Sequence, residues 1–413
     1  MTRKMKDSGI EWIGEIPEDW EISKLKYGFY FQKGINSNKY TKEYIDLNKG
    51  NYPVYSGQTE NDGIMGTINS YDYNINECLF TTTVGAKVMD VRLIGGKFNL
   101  SQNCLIMESK EVHFTSYMYY FLQPLFDYER FMIPQYMQPS LRIADLENYT
   151  IVAPSFDKQV KISIFLDDKI KTIQNIKDTI NQEIQTLEDY KKSIITEAVT
   201  KGLDKNVEMK DSGIEWIGEI PKHWNVIPLK HICKITMGQS VNGSDILDEK
   251  KGYPFLQGCA EFTEYIPSPR YWSTKANKII DRGSLLMSVR APVGDVNIAD
   301  QTYGIGRGLC AFNGINNKYI YYILISSNSG FLFYSNGTTY DAITVETLKN
   351  FKVAYSSINE QDEIVAYLDK KCTLVDSAIS KKQKQLEVLE EYKKSLIYEY
   401  VTGKKEVKDG EES

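Results

Sequence analysis

The sequence contains the same thirteen residues twice, and this repeat constrains the fold more than any other feature. MKDSGIEWIGEIP occupies residues 5–17 and returns unchanged at residues 209–221. Both copies continue to a tryptophan, Trp20 in the first and Trp224 in the second. An identity of this length does not arise by chance, so either the chain is a duplication or two of its surfaces must present the same residues to a partner.

A weaker similarity continues through both halves and becomes strong again at their ends. Residues 148–159 match residues 350–361, and residues 187–202 match residues 389–404, where LEDYKKS and LEEYKKS stand at equivalent places. The offset between matches drifts in the middle, as expected when loops change length while a scaffold is kept. The chain therefore consists of two half-repeats of about two hundred residues, each with a constant opening, a divergent middle and a matching end.

The matching ends predict two long helices with a coiled-coil seam. Residues 156–201 contain neither proline nor glycine, and apolar residues recur every seven positions beside a second row. The first helix has its two rows at Leu166, Ile173, Ile180, Leu187 and Ile194, and at Ile170, Lys177, Ile184, Lys191 and Ala198. The second helix has them at Leu368, Val375, Lys382, Leu389 and Leu396, and at Cys372, Ile379, Leu386, Lys393 and Tyr400. Gly202 and Gly403 end the two helices.

The two helices are predicted to pack on each other in an antiparallel pair. Each helix spans about 65 Å at about 1.5 Å per residue, and a single apolar stripe of that length is not expected to stand alone in water. The first helix must deliver the chain to the second domain at its far end, so a two-fold related pair runs antiparallel. By the same pseudo-symmetry, the first copy of the opening segment is expected near Gly403.

The divergent middles predict two small mixed α/β domains. Short apolar and aromatic runs bounded by Gly, Asn and Ser are typical of strands and turns, while YMYYFLQ and YIYYILI predict short helices. The predicted fold class is α+β, with two pseudo-symmetric mixed α/β domains separated by a long antiparallel two-helix coiled coil. The predicted segments are a first domain at 1–153 with the constant segment 5–20, a first helix at 154–203, a second domain at 204–355 with the constant segment 209–224, a second helix at 356–403 and a tail at 404–413.

Composition argues against several classes of protein. The net charge is −6, the six cysteines include no C-x-x-C pair, and no run of eighteen apolar residues occurs. These features predict a cytoplasmic chain with reduced thiols and without a metal site or a membrane span. There is no Walker loop, and His113, His223 and His231 lie far from any serine or cysteine elbow. The sequence therefore predicts a chain that is not an enzyme.

Polar and basic residues cluster in the loops of both middles. Examples are KGINSNKYTK and GGKFNLSQN in the first half, and GQSVNGS and GIGRG in the second half. Asn, Gln, Arg, Ser and Thr side chains read base edges, whereas Lys and Arg hold phosphates. Ordinary solvated loops have a similar composition, and it is the recurrence in two equivalent domains that favours recognition.

Taken together, these residues resemble the specificity (S) subunits of Type I restriction–modification systems. The resemblance rests on the duplicated SGIEWIGEIP, on SVRAPVGDV and GIGRGLCAF, on the matching domain ends and on the E-x-Y-K-K-S motif of both helices. The first domain has TTTVG where the second has SVRAPVG, so a role of Arg290 is not carried to the first domain. Lys158-Gln159 stands where the second half has Glu360-Gln361, the pair that is common in the family.

The resemblance implies a division of labour with partner subunits. Each of the two domains would read one half of a split, asymmetric sequence in double-stranded DNA, and the helix pair would set the gap. Two modification subunits would dock on the constant regions and methylate adenine N6 with S-adenosylmethionine, flipping the base. Restriction subunits would add ATP- and Mg-dependent translocation and cleavage. This chain would bind no cofactor itself, and its acidic charge is compatible with phosphate contacts made by the partners.

The predicted site residues follow from the chemistry of the loops. In the first domain the predicted DNA contacts are Lys39, Lys87, Lys97, Asn99, Gln102, Gln138 and Arg142. In the second domain they are Gln239, Asn242, Arg270, Lys275, Arg290, Arg307 and Thr338. The predicted partner-binding residues are Trp12, Trp216, Tyr190 and Tyr392.

Two other kinds of protein are alternatives to this interpretation. A structural adaptor whose two domains bind only proteins would show no salt-dependent, sequence-selective binding of DNA. A standalone methyltransferase or nuclease would be active as an isolated chain, but the cofactor loops of such enzymes are absent from the sequence.

Overall fold

The structure is a computed structural model, and it describes residues 3–58, 61–85, 88–134, 136–327 and 343–408. The chain forms two compact units, one of residues 1–180 with 384–413 and the other of residues 181–383. Both boundaries between the units fall inside a long helix. Each unit therefore contains the first part of one long helix and the last part of the other.

The strands of the first unit form one mixed sheet and two small antiparallel pairs. They are β1 (Met5–Asp7), β2 (Glu15–Pro17), β3 (Glu21–Lys24), β4 (Phe29–Lys33), β5 (Lys49–Tyr55), β6 (Ile64–Ile68), β7 (Tyr73–Thr82), β8 (Val91–Leu100), β9 (Cys104–Ser109) and β10 (Thr150–Ala153). The sheet has the order β4-β9-β7-β8-β5-β6 and is antiparallel except where β5 runs along β8. The hairpin β1-β2 holds the constant segment, and β3 pairs with β10, which joins the start of the domain to its end.

The helices of the first unit cover this sheet. They are α1 (Leu25–Gly28), α2 (Lys42–Leu47), α3 (Thr115–Met132), α4 (Ile143–Asn148) and the first part of α5 (Phe156–Lys201). The predicted helix YMYYFLQ lies within α3, which buries Tyr117, Phe121 and Phe126 in the core of the unit.

The strands of the second unit repeat this plan with shorter elements. They are β11 (Met209–Asp211), β12 (Glu219–Pro221), β13 (Asn225–Pro228), β14 (Cys233–Met237), β15 (Tyr253–Leu256), β16 (Tyr271–Ser273), β17 (Ile279–Ile280), β18 (Leu285–Ser288), β19 (Val296–Ile298), β20 (Tyr303–Ile305), β21 (Leu309–Gly314) and β22 (Lys352–Tyr355). The helices are α6 (Asn317–Ser326), α7 (Val345–Asn350) and α8 (Ile358–Val401). The predicted helix YIYYILI lies within α6.

The two sheets have the same connections, which confirms two pseudo-symmetric mixed α/β domains. The order β4-β9-β7-β8 in the first unit corresponds to β14-β21-β18-β19 in the second. The parallel contact of β5 with β8 corresponds to that of β15 with β20. The main difference is that β8 is one long strand, whereas β19 and β20 are separate strands in the second unit. Four short strands then form a second sheet, in the order β16-β15-β20-β17.

The long helices run antiparallel within each unit, as predicted from the path that the chain must take between the two domains. In the first unit the rings of Phe165 and Tyr400 lie 4.6 Å apart, and Lys177 Nζ lies 2.6 Å from Glu390 Oε2. Increasing residue numbers on α5 thus meet decreasing numbers on α8. Every residue of the four predicted rows is buried or half-buried. None of the helices in the described part of the chain is long and apolar enough to cross a membrane.

Three of the four lysines within the seam, Lys177, Lys191 and Lys382, are paired with carboxylates of the facing helix. In the second unit Lys191 Nζ lies 2.6 Å from Asp376 Oδ1, and Lys382 Nζ lies 2.5 Å from Glu183 Oε2. These pairs again join increasing numbers on one helix to decreasing numbers on the other. An ion pair at such a position compensates a charge that the apolar seam would otherwise leave desolvated.

Each copy of the constant segment packs on the last turn of a long helix. A Cβ at Gly403 would lie 2.4 Å from Cδ of Pro17, and Gly403 has a left-handed φ of +73°. In the second unit Gly202 has a φ of +75° and faces Pro221 and Trp224 in the same way. Glycine is required there because the helix must turn into the left-handed region beside a close neighbour. The predicted position of the first copy near Gly403 is confirmed.

Candidate nucleic-acid interface

The turn that joins β20 to β21 presents Arg307 at the surface of the second domain. The backbone N–H of Gly306 donates to the carbonyl of Leu256 at 2.7 Å, and the N–H of Val289 donates to the carbonyl of Gly308 at 2.9 Å. Both glycines also lie against the backbone of the loop that follows β15, where a Cβ would be tightly packed at Gly306 and would collide at Gly308. The turn is therefore held on both sides, and the Arg307 side chain is exposed.

Arg290 and Arg307 line one cleft of about 470 Å³ in the second domain. The cleft is bounded by the loops that follow β14, β15, β18 and β20, and Gln257 lines it too. Its other lining residues are Ser240, Val241, Ile246, Phe255, Gly306 and Gly308. Since the two arginines carry all of the charge among these lining residues, the cleft is suited to a phosphate or to the acceptor edge of a base.

In the first domain Gln102 occupies the turn between β8 and β9. It is exposed, and its Nε2 donates to Oδ1 of Asn38 at 2.7 Å. Asn38 lies on the short 3-10 turn after β4, a segment that the polar stretch KGINSNKYTK includes. The hydrogen bond limits the orientations that the exposed amide of Gln102 can take.

Two predicted lysines of the first domain lie over aromatic rings. Lys39 Nζ lies 4.8 Å from the centre of the Tyr44 ring. Lys97 Nζ lies 4.6 Å from the Tyr71 ring and 5.8 Å from the Tyr52 ring. The rings orient the two ammonium groups. Because both lysines are exposed, their ammonium groups remain available to a phosphate.

The prediction that Asn99 contacts DNA is wrong in its structural premise, because Asn99 does not lie in a loop. It is fully buried in β8, where its Nδ2 donates to the carbonyl of Ser70 at 2.9 Å. Its Oδ1 accepts from the N–H of Asp72 at 2.9 Å and from the hydroxyl of Tyr40 at 3.0 Å. Burial, followed by the hydrogen bond to Asp72, raises the pKa of Tyr40. Asn99 therefore fixes the neighbouring loops rather than reading a base.

The other predicted DNA contacts within the described residues are exposed, and two of them already have carboxylate partners. Arg142 Nη2 lies 2.9 Å from Asp145 Oδ1, and Lys275 Nζ lies 2.9 Å from Asp245 Oδ1. The hydrogen bonds from Arg142 lower the pKa of Asp145. Gln138, Gln239, Asn242 and Arg270 are exposed as well. The predicted contacts at Lys87 and Thr338 lie outside the described residues.

Two residues beside the predicted contacts were not recognised from the sequence, Gln257 in the second domain and Asn38 in the first. Gln257 stands in GYPFLQG, which marks the scaffold repeat and so looked structural. Asn38 stands in a polar loop, but nothing in the sequence shows that it meets Gln102, sixty-four positions away. Contacts of this sequence separation require knowledge of the strand order.

The predicted partner-binding residues fall into two kinds. Tyr190 and Tyr392 are 47% and 53% exposed on the long helices, as a docking residue requires. Trp12 and Trp216 are half-buried and pack within their own units. The ring of Trp12 lies 5.8 Å from that of Phe121. The ring of Trp216 stacks on that of Phe351 at 5.2 Å. Each tryptophan thus also secures the constant segment to its domain.

The lysines of the repeated E-x-Y-K-K-S motif line a cleft in each unit. Lys393 and Lys394 line one of about 310 Å³ in the first unit. Lys191 and Lys192 line one of about 970 Å³ in the second unit. The two clefts arise at equivalent places because the motif and the domains are both duplicated. In the described part of the chain, no cluster of three or more His, Cys, Asp or Glu is arranged to hold a metal ion.

Comparison with known proteins agrees with this organisation. The family model described as the Type I restriction modification DNA specificity domain matches the chain twice, at residues 17–186 and 221–390. The chain belongs to the family of Type I specificity subunits. Each match starts at the last residue of the constant segment, contains one recognition domain and extends into one long helix, so it follows the duplication seen in the structure.

Relatives of nearly equal length support the assignment to the specificity subunits. The chain is 31% identical over 425 residues to the putative type I restriction enzyme MjaX specificity subunit of Methanocaldococcus jannaschii, with 96% of each chain covered. It is 24% identical to the MjaVIII specificity subunit of the same organism, with 95% of each chain covered. A solved structure from a study of complex assembly and conformational transition of the type I R-M system has a TM-score of 0.71 at 19% identity, and the match covers 94% of this chain and 98% of that one. That likeness concerns the fold.

Proposed function

We propose that this specificity subunit reads a bipartite, asymmetric DNA target, with one recognition domain for each half-site. The observation that carries the proposal is the contrast between constant and variable parts. The two domains share strand order and turns, yet the side chains that the turns expose differ, with Gln102 in one and Arg307 in the other. Two domains with the same strand order and different exposed polar side chains are suited to reading two different DNA sequences.

The long helices join the two recognition domains in the chain and would fix the unspecified gap between the half-sites. A rigid spacer is supported by the seam, whose rows are buried or half-buried and where three of the four lysines are paired with carboxylates. The two halves of the target would then be read in a single register.

Docking of two modification subunits completes the proposal. The constant segment and the E-x-Y-K-K-S motif occur twice in unchanged or nearly unchanged form, so two identical partners would find two equivalent surfaces. The modification subunits would bind S-adenosylmethionine and perform the methylation. Restriction subunits, with ATP and Mg, would join through them. This chain would contribute recognition and assembly and no catalytic group.

Mapping of methylated adenines in host DNA tests the proposal. Cells with the chain are expected to carry a split motif whose methylation disappears when the chain is removed and returns when it is restored. A matched strain that produces the modification subunits alone controls for methylation without this chain. An unchanged methylation pattern after removal would contradict DNA recognition and would favour an adaptor that binds only proteins.

A further inference from the structure

The first backbone hydrogen bond of the strand-end turn is the same in both domains. In the first domain the N–H of Ser101 donates to the carbonyl of Tyr55 at 2.8 Å. In the second domain the N–H of Gly306 donates to the carbonyl of Leu256 at 2.7 Å. Both bonds extend the parallel pairing of β8 with β5 and of β20 with β15 by one residue.

The second backbone hydrogen bond closes the turn from the other side. The N–H of Thr83 donates to the carbonyl of Asn103 at 2.8 Å, and the N–H of Val289 donates to the carbonyl of Gly308 at 2.9 Å. In each domain a single residue lies between these two fixed points. That residue is Gln102 in the first domain and Arg307 in the second.

The backbone hydrogen bonds therefore place Gln102 and Arg307 at equivalent positions of the two domains, although the residues around them differ. Gly306 and Gly308 flank Arg307 and allow its turn to approach the loop after β15 closely. Arg307 lines the same cleft as Arg290. Gln102 is held by Asn38, which uses one N–H of its amide and leaves the other N–H and the oxygen Oε1 to a ligand. Both side chains are exposed, and hydrogen bonds hold the backbone on either side of each of them.

We infer that Gln102 and Arg307 are the base-reading residues at one equivalent position of the two half-sites, with adenine read by Gln102 and guanine by Arg307. Arginine donates two hydrogen bonds to O6 and N7 of guanine, whereas glutamine accepts from N6 and donates to N7 of adenine. The free N–H and Oε1 of Gln102 are the pair that adenine requires. The inference rests on the proposed function and adds the chemical identity of one base in each half-site.

Reciprocal substitutions in the complex with its modification subunits test the inference. Arg307→Gln is expected to lower methylation of the original target roughly tenfold to a hundredfold, and to shift one letter of the second half-site from guanine to adenine. Gln102→Arg is expected to shift one letter of the first half-site from adenine to guanine. The other half-site keeps its letters in each case. Unchanged letters at an unchanged rate would overturn the inference.

Two controls separate a lost contact from a lost fold. Arg282→Gln changes an exposed arginine of the same domain outside the cleft and should leave the motif and the rate unchanged. Arg307→Lys keeps the charge and should retain guanine with weaker methylation, because lysine also donates to O6 and N7. A different letter with Arg307→Lys would contradict the assignment.

A modified base tests the contact with the unaltered protein. Replacing each guanine of the second half-site in turn by 7-deazaguanine removes N7, and one position should weaken binding of the original complex about tenfold. If no guanine is present or none is sensitive, the inference fails while bipartite recognition stands. If the original complex methylates no split motif at all, the proposed function fails.

Discussion

At the scale of single residues, the two tryptophans that follow the constant segment have different partners. Nε1 of Trp224 donates to Oε1 of Glu360 at 3.0 Å, and Nε2 of His223 lies 2.8 Å from the same oxygen. Burial alone would raise the pKa of Glu360, but the hydrogen bonds from His223, Trp224 and Ser357 outweigh it and lower the pKa to about 2. The carboxylate is thus the common acceptor of the cluster.

The first half has a lysine–aspartate ion pair at the equivalent positions. Lys158 stands in place of the glutamate and Asp19 in place of the histidine, and they pair at 2.7 Å. Nε1 of Trp20 is buried and has no acceptor in the described part of the chain, while Arg3 lies over its ring. The first half therefore has an ion pair at this site but no hydrogen bond to Nε1 of its tryptophan in the described part of the chain.

Loss of the shared carboxylate should therefore destabilise only the second half. Glu360→Ala leaves Nε1 of Trp224 without its acceptor and is expected to lower the free energy of unfolding by about 1–3 kcal/mol. Glu360→Gln keeps an acceptor and should cost less. The matched variant Lys158→Ala breaks a largely exposed ion pair and should change stability by less than about 1 kcal/mol. Chemical denaturation measures all three, and equal effects of Glu360→Ala and Lys158→Ala would contradict this account.

The same carboxylate should make stability depend on acidic pH. Because the pKa of Glu360 is about 2 in the folded chain and 4.5 is its ordinary value, its ionised form favours the folded state. The contribution is complete above pH 4.5 and disappears as the pH falls toward 2. Melting temperatures of the original chain and Glu360→Gln should therefore differ at pH 6 and converge at low pH. A constant difference across this range would refute the linkage.

At the scale of elements, the seam combines apolar rows with paired lysines. The side chains of Lys191 and Asp376 are 24% and 22% exposed, so both charges are partly desolvated. Asp376 also accepts from the hydroxyl of Tyr265, which fixes the carboxylate. Removing one partner of such an ion pair lowers the stability of the fold strongly, whereas replacing both partners by apolar residues lowers it little.

Single and double substitutions in the seam should accordingly differ in stability. Asp376→Ala is expected to lower the free energy of unfolding by about 1–3 kcal/mol, because it leaves the Lys191 ammonium without its partner. The double variant Lys191→Met with Asp376→Leu should lose less than the single variant. Asp189→Ala, which removes an exposed ion pair with Lys192, is the control and should change stability by less than about 0.5 kcal/mol. Urea unfolding gives the values, and a double variant less stable than Asp376→Ala would contradict the argument.

The elements also show how far sequence reasoning reached. The seam was predictable because a seven-residue period places the same positions inward along the whole helix, and Leu166 and Leu368 are fully buried as expected. The burial of Asn99 was not predictable, because a polar residue flanked by Phe and Leu looks like a loop until β8 is known to continue through it. The equivalence of Gln102 and Arg307 required the hydrogen bonds of the turn, since FNLSQNCL and YGIGRGLC share few letters.

At the scale of the whole molecule, the duplication separates what is constant from what varies. Each constant segment packs on the end of a long helix and opens a recognition domain, and this holds within both units. The domains retain their strand order while their exposed turns differ. Under the proposed function, a new target sequence would require changes in the turns and none in the helices or the constant segments.

The most direct test is to exchange the second recognition domain and sequence the methylated sites. Residues 225–355 would be replaced by the corresponding segment of another specificity subunit, and the complex with the modification subunits would be compared with the original. We expect the letters of one half-site to change, while the other half-site and the length of the gap stay the same. Methylation in which both half-sites change, or in which neither changes, would contradict the claim that each domain reads one half.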